Sequence, residues 1–187
     1  GKDVLKPRPE LGLAANFVYM LRGEEPVQRD VEALNVYLVL LADHGMNAST
    51  FTARVVTSTD GDMYSAITAA IGSLKGPKHG GANEAAMRMF HEIGSADNVD
   101  EWFKTEVKEK GRRIMGVGHR VYKAFDPRAD VLKRFAEELC TTSDECGVFA
   151  LAKRLEELTR SDPHFVERKL FPNVDYYSSI VLDAVGI

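Results

Sequence analysis

The sequence contains few cysteines, no long apolar run and no excess of basic residues, and each scarcity excludes a class of protein. Two cysteines, Cys140 and Cys146, cannot form a disulfide framework, so we expect free thiols and a cytoplasmic location. The longest strongly apolar run, residues 36–42, is too short to span a bilayer, and the start at residues 1–4 predicts no signal peptide. With 24 basic and 28 acidic side chains, the net charge of -4 argues against a nucleic-acid partner.

Several known motifs are also missing. No His-Glu-x-x-His or Cys-x-x-Cys pattern is present, so we expect no metal site. Gly116-Val117-Gly118 lacks the third glycine of a dinucleotide fingerprint, because Val121 stands in its place. Asp60-Gly61-Asp62 begins like a calcium loop, but Ile71 occupies the twelfth position, which requires a carboxylate.

Apolar residues recur at helical spacing along most of the chain, and the alternation typical of strands is almost absent. The chain has 187 residues and is 44% hydrophobic, which excludes extensive disorder. Helices are predicted over about residues 11–21, 27–41, 63–74, 82–93, 99–107, 127–139, 148–158, from 163, and 177–185. The sequence therefore predicts an all-α protein.

Charged side chains become denser after about residue 80. This contrast predicts a buried first part and a second part whose helices expose more surface. It also suggests a boundary between two parts near that residue.

Three of the five histidines lie beside glycines in loop-like stretches at predicted helix ends, where free backbone groups can meet a ligand. They are His44, His79 and His119. One such histidine alone is most often an ordinary loop residue with a hydrogen-bond partner, but three in one short chain favour a functional site. His91 and His164 have no such setting, and we interpret them as structural or surface residues.

His79 allows the most specific chemical interpretation. Two glycines follow it and a helix is predicted to begin near Ala82, so a ligand can approach closely. The positive end of that helix disfavours an imidazolium ion and keeps the ring neutral. A neutral imidazole can donate a hydrogen bond to a forming oxyanion or enolate. The alternative is that Gly80-Gly81 forms only a tight corner before the helix.

Two charged residues stand at the starts of predicted helices. Asp175 opens the last helix, and its position alone fits an ordinary first-turn acidic residue. Arg128 follows Asp126-Pro127 and either binds a carboxylate through two hydrogen bonds or is a solvated side chain. Cys140 has no histidine nearby in sequence, so a thiol nucleophile has little support.

Four strings in these loops resemble hallmarks of the citrate synthase family. They are GPKHGGANE at 76–84, GVGHRVYK at 116–123 followed by DPR at 126–128, FPNVD at 171–175, and DHGMNAST at 43–50. The strings are long and occur in the family's order. The resemblance implies an all-helical fold in which residues 1–80 are the central part of a large domain and residues 81–187 are the small domain.

The same resemblance implies a reaction that joins an acyl-CoA to oxaloacetate and releases CoA by hydrolysis of the thioester. Asp175 would remove the α-proton, His79 would donate a hydrogen bond to the enol oxygen, and His119 would polarise the oxaloacetate carbonyl. Other residues implied by the motifs are His44, Asn47 and Arg128 for oxaloacetate, and Val117, Gly118 and Lys123 for CoA. The family needs no metal or other cofactor, since CoA is part of the substrate, and it forms homodimers.

The resemblance leaves alternatives open. Lys78 and residues 62–66 resemble the 2-methylcitrate synthase branch, which uses propionyl-CoA in place of acetyl-CoA, although we favour citrate synthase. Family chains are about twice as long, so this chain resembles a piece lacking N-terminal and C-terminal parts. Such a piece could be a non-catalytic CoA-binding or oligomer-forming unit. Because the family's large-domain helices form the dimer interface, we expect exposed apolar faces over residues 11–41.

Overall fold

The computed structural model describes residues 5–43, 45–119, 124–140 and 146–187, with the side chain of Cys146 excepted. Within these ranges the chain folds into helices, and the only extended pairing is an isolated antiparallel bridge between Val117 and Pro172. The all-α prediction is confirmed. None of the helices in the described ranges is long and apolar enough to cross a membrane.

Ten α-helices follow one another along the described part of the chain. They are α1 Leu13–Arg22, α2 Gln28–Ala42, α3 Ala48–Thr57, α4 Met63–Leu74, α5 Ala82–Ile93, α6 Val99–Trp102, α7 Pro127–Cys140, α8 Cys146–Ser161, α9 Pro163–Glu167 and α10 Val174–Ala184. A 3-10 turn, Ala96–Asn98, precedes α6, and a π-helical stretch, Phe103–Glu109, continues it.

Capping side chains begin several of the predicted helices. Asp62 accepts a hydrogen bond from the Ser65 amide at 3.0 Å and begins α4. Asp162 accepts from the His164 amide at 2.9 Å and begins α9, with Pro163 as the first helical residue. Each cap satisfies a backbone donor that the first helical turn leaves without an intrahelical partner.

The sequence analysis predicted no helix between residues 41 and 63, and this is wrong, because α3 lies there. Its sequence, ASTFTARVVT, is rich in β-branched residues, which lower helix propensity and hide the apolar spacing. The available signal was the start, because Asn47 accepts a hydrogen bond from the Thr50 amide at 2.9 Å and caps the helix. Helix α3 packs mainly against α4.

The buried core lies mainly in the second part of the chain, where α10 packs against α5 and α7. Its largest fully buried side chains include Phe90, Leu132, Tyr176 and Tyr177. The prediction of a buried first part and an exposed second part is therefore wrong. The density of charged residues indicates how many side chains must reach water. It does not indicate whether the apolar face of a helix packs against another helix.

Exposed apolar side chains instead mark the first part of the chain. Leu13 is 80% exposed and Phe17 is 48% exposed, which confirms the expectation for residues 11–41. The exposure continues onto α3 and α4, and we call the side chains there the α3–α4 face. They are Phe51, Val55, Met63, Tyr64, Ile67, Ile71 and Leu74.

Arg22 joins the first two helices to the end of the last one. Its guanidinium lies 2.5 Å from the carboxylate of Asp30, which is almost fully buried. It also donates to the backbone carbonyl of Val185, the residue that caps the C-terminus of α10. A cation at this position is favourable, because the last carbonyls of a helix carry partial negative charge.

Candidate active site

Two loops meet beside the start of α10 and form the centre of the candidate site. The Gly118 amide donates to the Phe171 carbonyl at 2.7 Å, and the Asn173 amide donates to the Gly116 carbonyl at 2.9 Å. The Asn173 side chain also donates to the Gly118 carbonyl at 2.9 Å. These bonds hold His119, the next residue in the first loop, close to the first turn of α10.

The glycines of the first loop are favoured by positive φ angles and, at Gly116, by a close backbone approach. Gly116 has a φ of +74°, and a Cβ added there would lie 2.7 Å from the Cα of Tyr176. Gly118 has a φ of +87°, and its Cβ would lie 2.9 Å from the side chain of Leu170. The two glycines therefore allow the loop to pack on α10 and on the segment before it.

Arg128 and Asp126 form a buried ion pair at the start of α7. Arg128 donates from Nε to one carboxylate oxygen at 2.9 Å and from Nη2 to the other at 2.8 Å. Burial opposes ionisation of Asp126, but the hydrogen bonds from Arg128 outweigh it and hold the pKa of the carboxyl below its usual range. Arg128 also donates to the backbone carbonyl of Asp43 at 3.3 Å, which connects α7 to the end of α2.

Asp175 lies in the first turn of α10, where its own amide donates to Asn173. Burial raises the pKa of the Asp175 carboxyl to about 6, with Arg128 acting to lower it and Asp126 to raise it. A solvated first-turn carboxylate would have a lowered pKa, because the helix dipole favours the anion. The raised value separates Asp175 from the ordinary helix-start acid that its sequence position alone suggests.

His119 faces the same charges. Burial lowers the pKa of the His119 imidazole, while Asp126 raises it and Arg128 lowers it further. The ring is therefore neutral at pH 7, and it can donate one hydrogen bond to a carbonyl oxygen. His119 lines a small cleft together with Asp126, Lys169 and Asn173.

His79 lies in the turn before α5, and its carbonyl accepts from the Ala82 amide at 3.1 Å. Its ring Nε2 lies 2.7 Å from the Ser49 hydroxyl and 3.3 Å from the Ser49 amide. An amide can only donate, so Nε2 accepts, and a neutral ring carries its proton on Nδ1. The chain also makes the tight turn at Gly80 that the alternative interpretation predicts, since a Cβ at Gly80 would lie 2.5 Å from the Leu74 carbonyl oxygen.

Tyr37 is a site residue that the sequence analysis missed. Burial raises the pKa of its phenol to about 12, and the charge of Asp175 acts in the same direction. The Asn83 side chain donates to the Tyr37 hydroxyl at 3.5 Å, which connects the first turn of α5 to this group. No motif marks Tyr37, because it lies within the apolar pattern of α2.

The structure thus brings His119, Arg128 and Asp175 into one cluster with two residues that were not predicted as site residues, Asp126 and Tyr37. His79 instead contacts Ser49 in the first turn of α3. Asn47 caps α3 two residues before the partner of His79, Val117 and Gly118 lie in the bridged loop, and His44 and Lys123 lie outside the described residues. In the part of the chain that the structure covers, no group of three metal-ligating side chains is present.

Comparison with known proteins identifies close relatives of the whole chain. Residues 1–187 match the family described as "Citrate synthase, C-terminal domain". The chain is 49% identical over 187 residues to citrate synthase 2 of Bacillus subtilis, of which it covers 49%. The chain spans about half the length of the curated relatives it matches.

Solved structures agree with this match. The crystal structure of citrate synthase from Pyrobaculum aerophilum aligns with a TM-score of 0.91 and 47% identity, over 99% of this chain and 46% of that one. A ternary complex of carboxymethyl coenzyme A and oxaloacetate with citrate synthase from Thermoplasma acidophilum aligns with a TM-score of 0.89 and 40% identity. That alignment covers 97% of this chain and 47% of the other.

Proposed function

The chain belongs to the citrate synthase family, and we propose that it carries the enolising centre of an enzyme that condenses acetyl-CoA with oxaloacetate and then hydrolyses the thioester with water, which gives citrate and CoA. The observation that carries the proposal is Asp175, a carboxyl whose burial raises its pKa to about 6 and on which Arg128 and Asp126, the two charged neighbours of His119, also act. A general base is most effective when its pKa is close to the working pH.

Asp175 would take the α-proton of the acetyl group. A thioester α-proton is a very weak acid, so the base alone does not suffice, and the enolate must be stabilised as it forms. His79 would supply this by donating a hydrogen bond from Nδ1–H to the enol oxygen, while Ser49 holds the other ring nitrogen. General-base catalysis by a positioned carboxylate contributes roughly 10²–10⁴-fold to such a step.

His119 would polarise the carbonyl of oxaloacetate, because its neutral ring can donate to an oxygen on which negative charge develops. Arg128 would help to hold the substrate dianion, with its guanidinium fixed by Asp126 along the Nε–Nη2 edge. His44 and Asn47 would complete the oxaloacetate site. In this proposal Asp126 orients the arginine, as a carboxylate does for a bidentate guanidinium.

CoA would lie along the bridged loop, at Val117 and Gly118, with Lys123 beside it. The Val117 amide donates to the Ile114 carbonyl and the Gly118 amide donates to Phe171, so both amides are already used within the protein. Contact with CoA would therefore involve the Val117 carbonyl and the surface of the loop.

A two-part organisation and a homodimer belong to the same proposal. Residues 1–80 would be part of a large domain and residues 81–187 the small domain, since the main core forms among α5, α7, α8 and α10.

The α3–α4 face would pack on a second copy of the chain. An exposed apolar surface of this extent is typical of an interaction site. We propose a cytoplasmic location, as the cysteine content suggests.

Two alternatives are tested together with the main proposal. Propionyl-CoA could replace acetyl-CoA, as the string around Lys78 suggests, and one methylene is worth only ~1–3 kcal/mol of discrimination. The chain could also bind CoA without turnover. The relatives that are named citrate synthase favour the acetyl substrate.

The experiment measures oxaloacetate-dependent release of the CoA thiol from acetyl-CoA and propionyl-CoA in parallel. We expect release by the chain and its loss in Asp175→Asn. The matched control is Asp97→Asn, which removes an exposed carboxylate from the 3-10 turn and should leave the rate unchanged. No release with retained CoA binding would support the non-catalytic alternative, and faster release from propionyl-CoA would support 2-methylcitrate synthase.

A further inference from the structure

A buried ionic network connects the helices behind the candidate site. Glu156 of α8 is 2% exposed, and its carboxylate lies 2.6 Å from the ammonium of Lys133 on α7. Arg160 of α8 donates to the same carboxylate at 2.8 Å, and the Tyr177 hydroxyl of α10 donates to it as well. One carboxylate therefore joins α7, α8 and α10.

The network also reaches the loops of the site. The Arg160 guanidinium lies over the ring of Phe125, 4.9 Å from its centroid. Phe125 immediately precedes Asp126, and its ring packs against Phe171 with centroids 6.3 Å apart. Arg160, which Glu156 holds, thus contacts Phe125 directly and reaches the segment before α10 only through the packing of Phe125 on Phe171.

Burial of the Glu156 carboxylate is not explained by stability alone. Removing a carboxylate from water is costly even when its cations, here Lys133 and Arg160, stay partly exposed, and apolar side chains of similar volume often stabilise a protein as well or better. An ionic network also fixes the relative positions of the helices, because each donor must lie close to a particular carboxylate oxygen and point towards it. Hydrogen bonds from Lys133, Tyr177 and Arg160 keep the pKa of Glu156 below its usual range, although burial acts to raise it.

We propose that Glu156 is a positioning residue that braces α7 against α10 and so holds Arg128 beside Asp175. Lys133 lies five residues after Arg128, and Tyr177 lies two residues after Asp175. At 1.5 Å per residue these are separations of about 7.5 and 3 Å along the helix axes, so the brace acts close to the site. The inference rests on the proposed function for its meaning, but its test requires no turnover.

The test compares two tyrosines on α10 that each bond to α8. Tyr177→Phe removes the hydroxyl that contacts Glu156 and keeps the ring. Tyr176→Phe is the matched control, because the Tyr176 hydroxyl donates to the backbone carbonyl of Ala152 at 2.8 Å and not to the network. Both variants lose one buried hydroxyl, and neither changes the charge of the protein, so direct electrostatic effects on Asp175 are small.

The measurement is a carbon-13 NMR titration of the Asp175 carboxyl in the ligand-free chain. The charged and titratable groups that face this carboxyl are Tyr37 from α2, and Asp126 and Arg128 from the start of α7. Burial raises the pKa of Asp175, Arg128 lowers it and Asp126 raises it, so a looser brace that changes these contacts should shift the pKa by about 0.5 or more in Tyr177→Phe. The control variant should titrate as the unaltered chain does.

An unchanged titration in Tyr177→Phe, or the same change in both variants, would overturn the proposal. Glu156→Ala is the less useful variant, since it removes the partner of Lys133, Arg160 and Tyr177 together and so changes several contacts at once. A chain that shows the expected titration but no turnover would leave the brace standing and contradict the proposed reaction.

Discussion

The side chain of Asn173 donates to the carbonyl of Gly118 at 2.9 Å, and its oxygen accepts from the amide of Asp175 at the same distance. One amide group thus caps α10 and fixes the loop that carries His119. Asparagine suits this position because its side chain presents a donor and an acceptor together.

Asn173→Asp tests this double role. A carboxylate can still accept from the Asp175 amide, but it cannot donate to the Gly118 carbonyl and is repelled by it. We expect the free energy of unfolding to fall by about 1–3 kcal/mol and the rate of CoA release to fall as His119 loses its fixed place. Asn98→Asp is the control. The Asn98 side chain also donates to a backbone carbonyl, that of Ile93 at 2.8 Å, but at the C-terminal end of α5 and outside the candidate site. Equal losses of activity in both variants would contradict the role of Asn173 in the site.

Gly116→Ala should destabilise the chain more than Gly111→Ala. Both glycines have positive φ, +74° and +71°, so alanine strains the backbone at each by about 1–2 kcal/mol. A Cβ at Gly111 meets no other atom within 4 Å, whereas one at Gly116 would lie 2.7 Å from the Cα of Tyr176. We expect a further loss of about 1–3 kcal/mol in the Gly116 variant from the clash with α10. Urea unfolding of the two variants measures the difference, and equal losses would show that the loop can move away from α10.

Asp175→Asn should change the pH dependence of stability. The pKa of Asp175 is raised from its ordinary value of 3.8 to about 6 in the folded chain, so between these values the folded state binds a proton that the unfolded state has released. The contribution of this carboxyl is therefore fully present below pH 4 and is lost as the pH rises through 6. The loss amounts to about 2–3 kcal/mol, and the asparagine variant does not suffer it.

Urea unfolding at pH 4.5 and pH 7.5 compares the two proteins. Other titrating groups cancel in the difference between the two proteins. The stability of Asp175→Asn relative to the unaltered chain should therefore be larger at pH 7.5, where the unaltered chain has lost the contribution of this carboxyl. The same difference at both values would mean that the Asp175 carboxyl titrates normally.

Ile71→Glu should reduce self-association through the α3–α4 face. Ile71 is 60% exposed, so the added charge should disturb the fold little while opposing burial against a second copy. Size-exclusion chromatography with light scattering should show a dimer for the unaltered chain and a monomer for the variant. Val166→Glu, at an exposed position on α9, is the control and should leave the mass of the assembly unchanged. A monomeric unaltered chain would contradict the proposed dimer.

Local signals predicted the helices that carry both apolar spacing and end signals. Helix α5 has its predicted bounds, because Gly81 precedes Ala82 and Gly94 follows Ile93. Helix α3 escaped prediction because its threonines and valines suit a strand as well as a helix. The burial of the first part was predicted wrongly, since burial depends on what a helix face packs against and not on its own composition.

The loops of the candidate site could be predicted from the sequence, but only some of the residues that determine its chemistry could be. His119 was singled out by its glycine-flanked loop as well as by its family string, whereas Asp175 was identified only by its string, since spacing alone made it an ordinary helix-start residue. Tyr37 could not be predicted, because it approaches Asp175 through the packing of α2 near α10, which no local pattern encodes. Glu156 was missed for the same reason, since a charged residue in a helix suggests a solvated face.

Arg22 gives α10 a second fixed end. The helix begins under Asn173, which is bonded to the first loop, and ends at Val185, whose carbonyl accepts from Arg22. Sliding the helix along its own axis by even one residue, about 1.5 Å, would break both attachments at once. The axial position of α10, and with it the position of Asp175 relative to the loop of His119, is therefore set by two side chains that lie outside the helix.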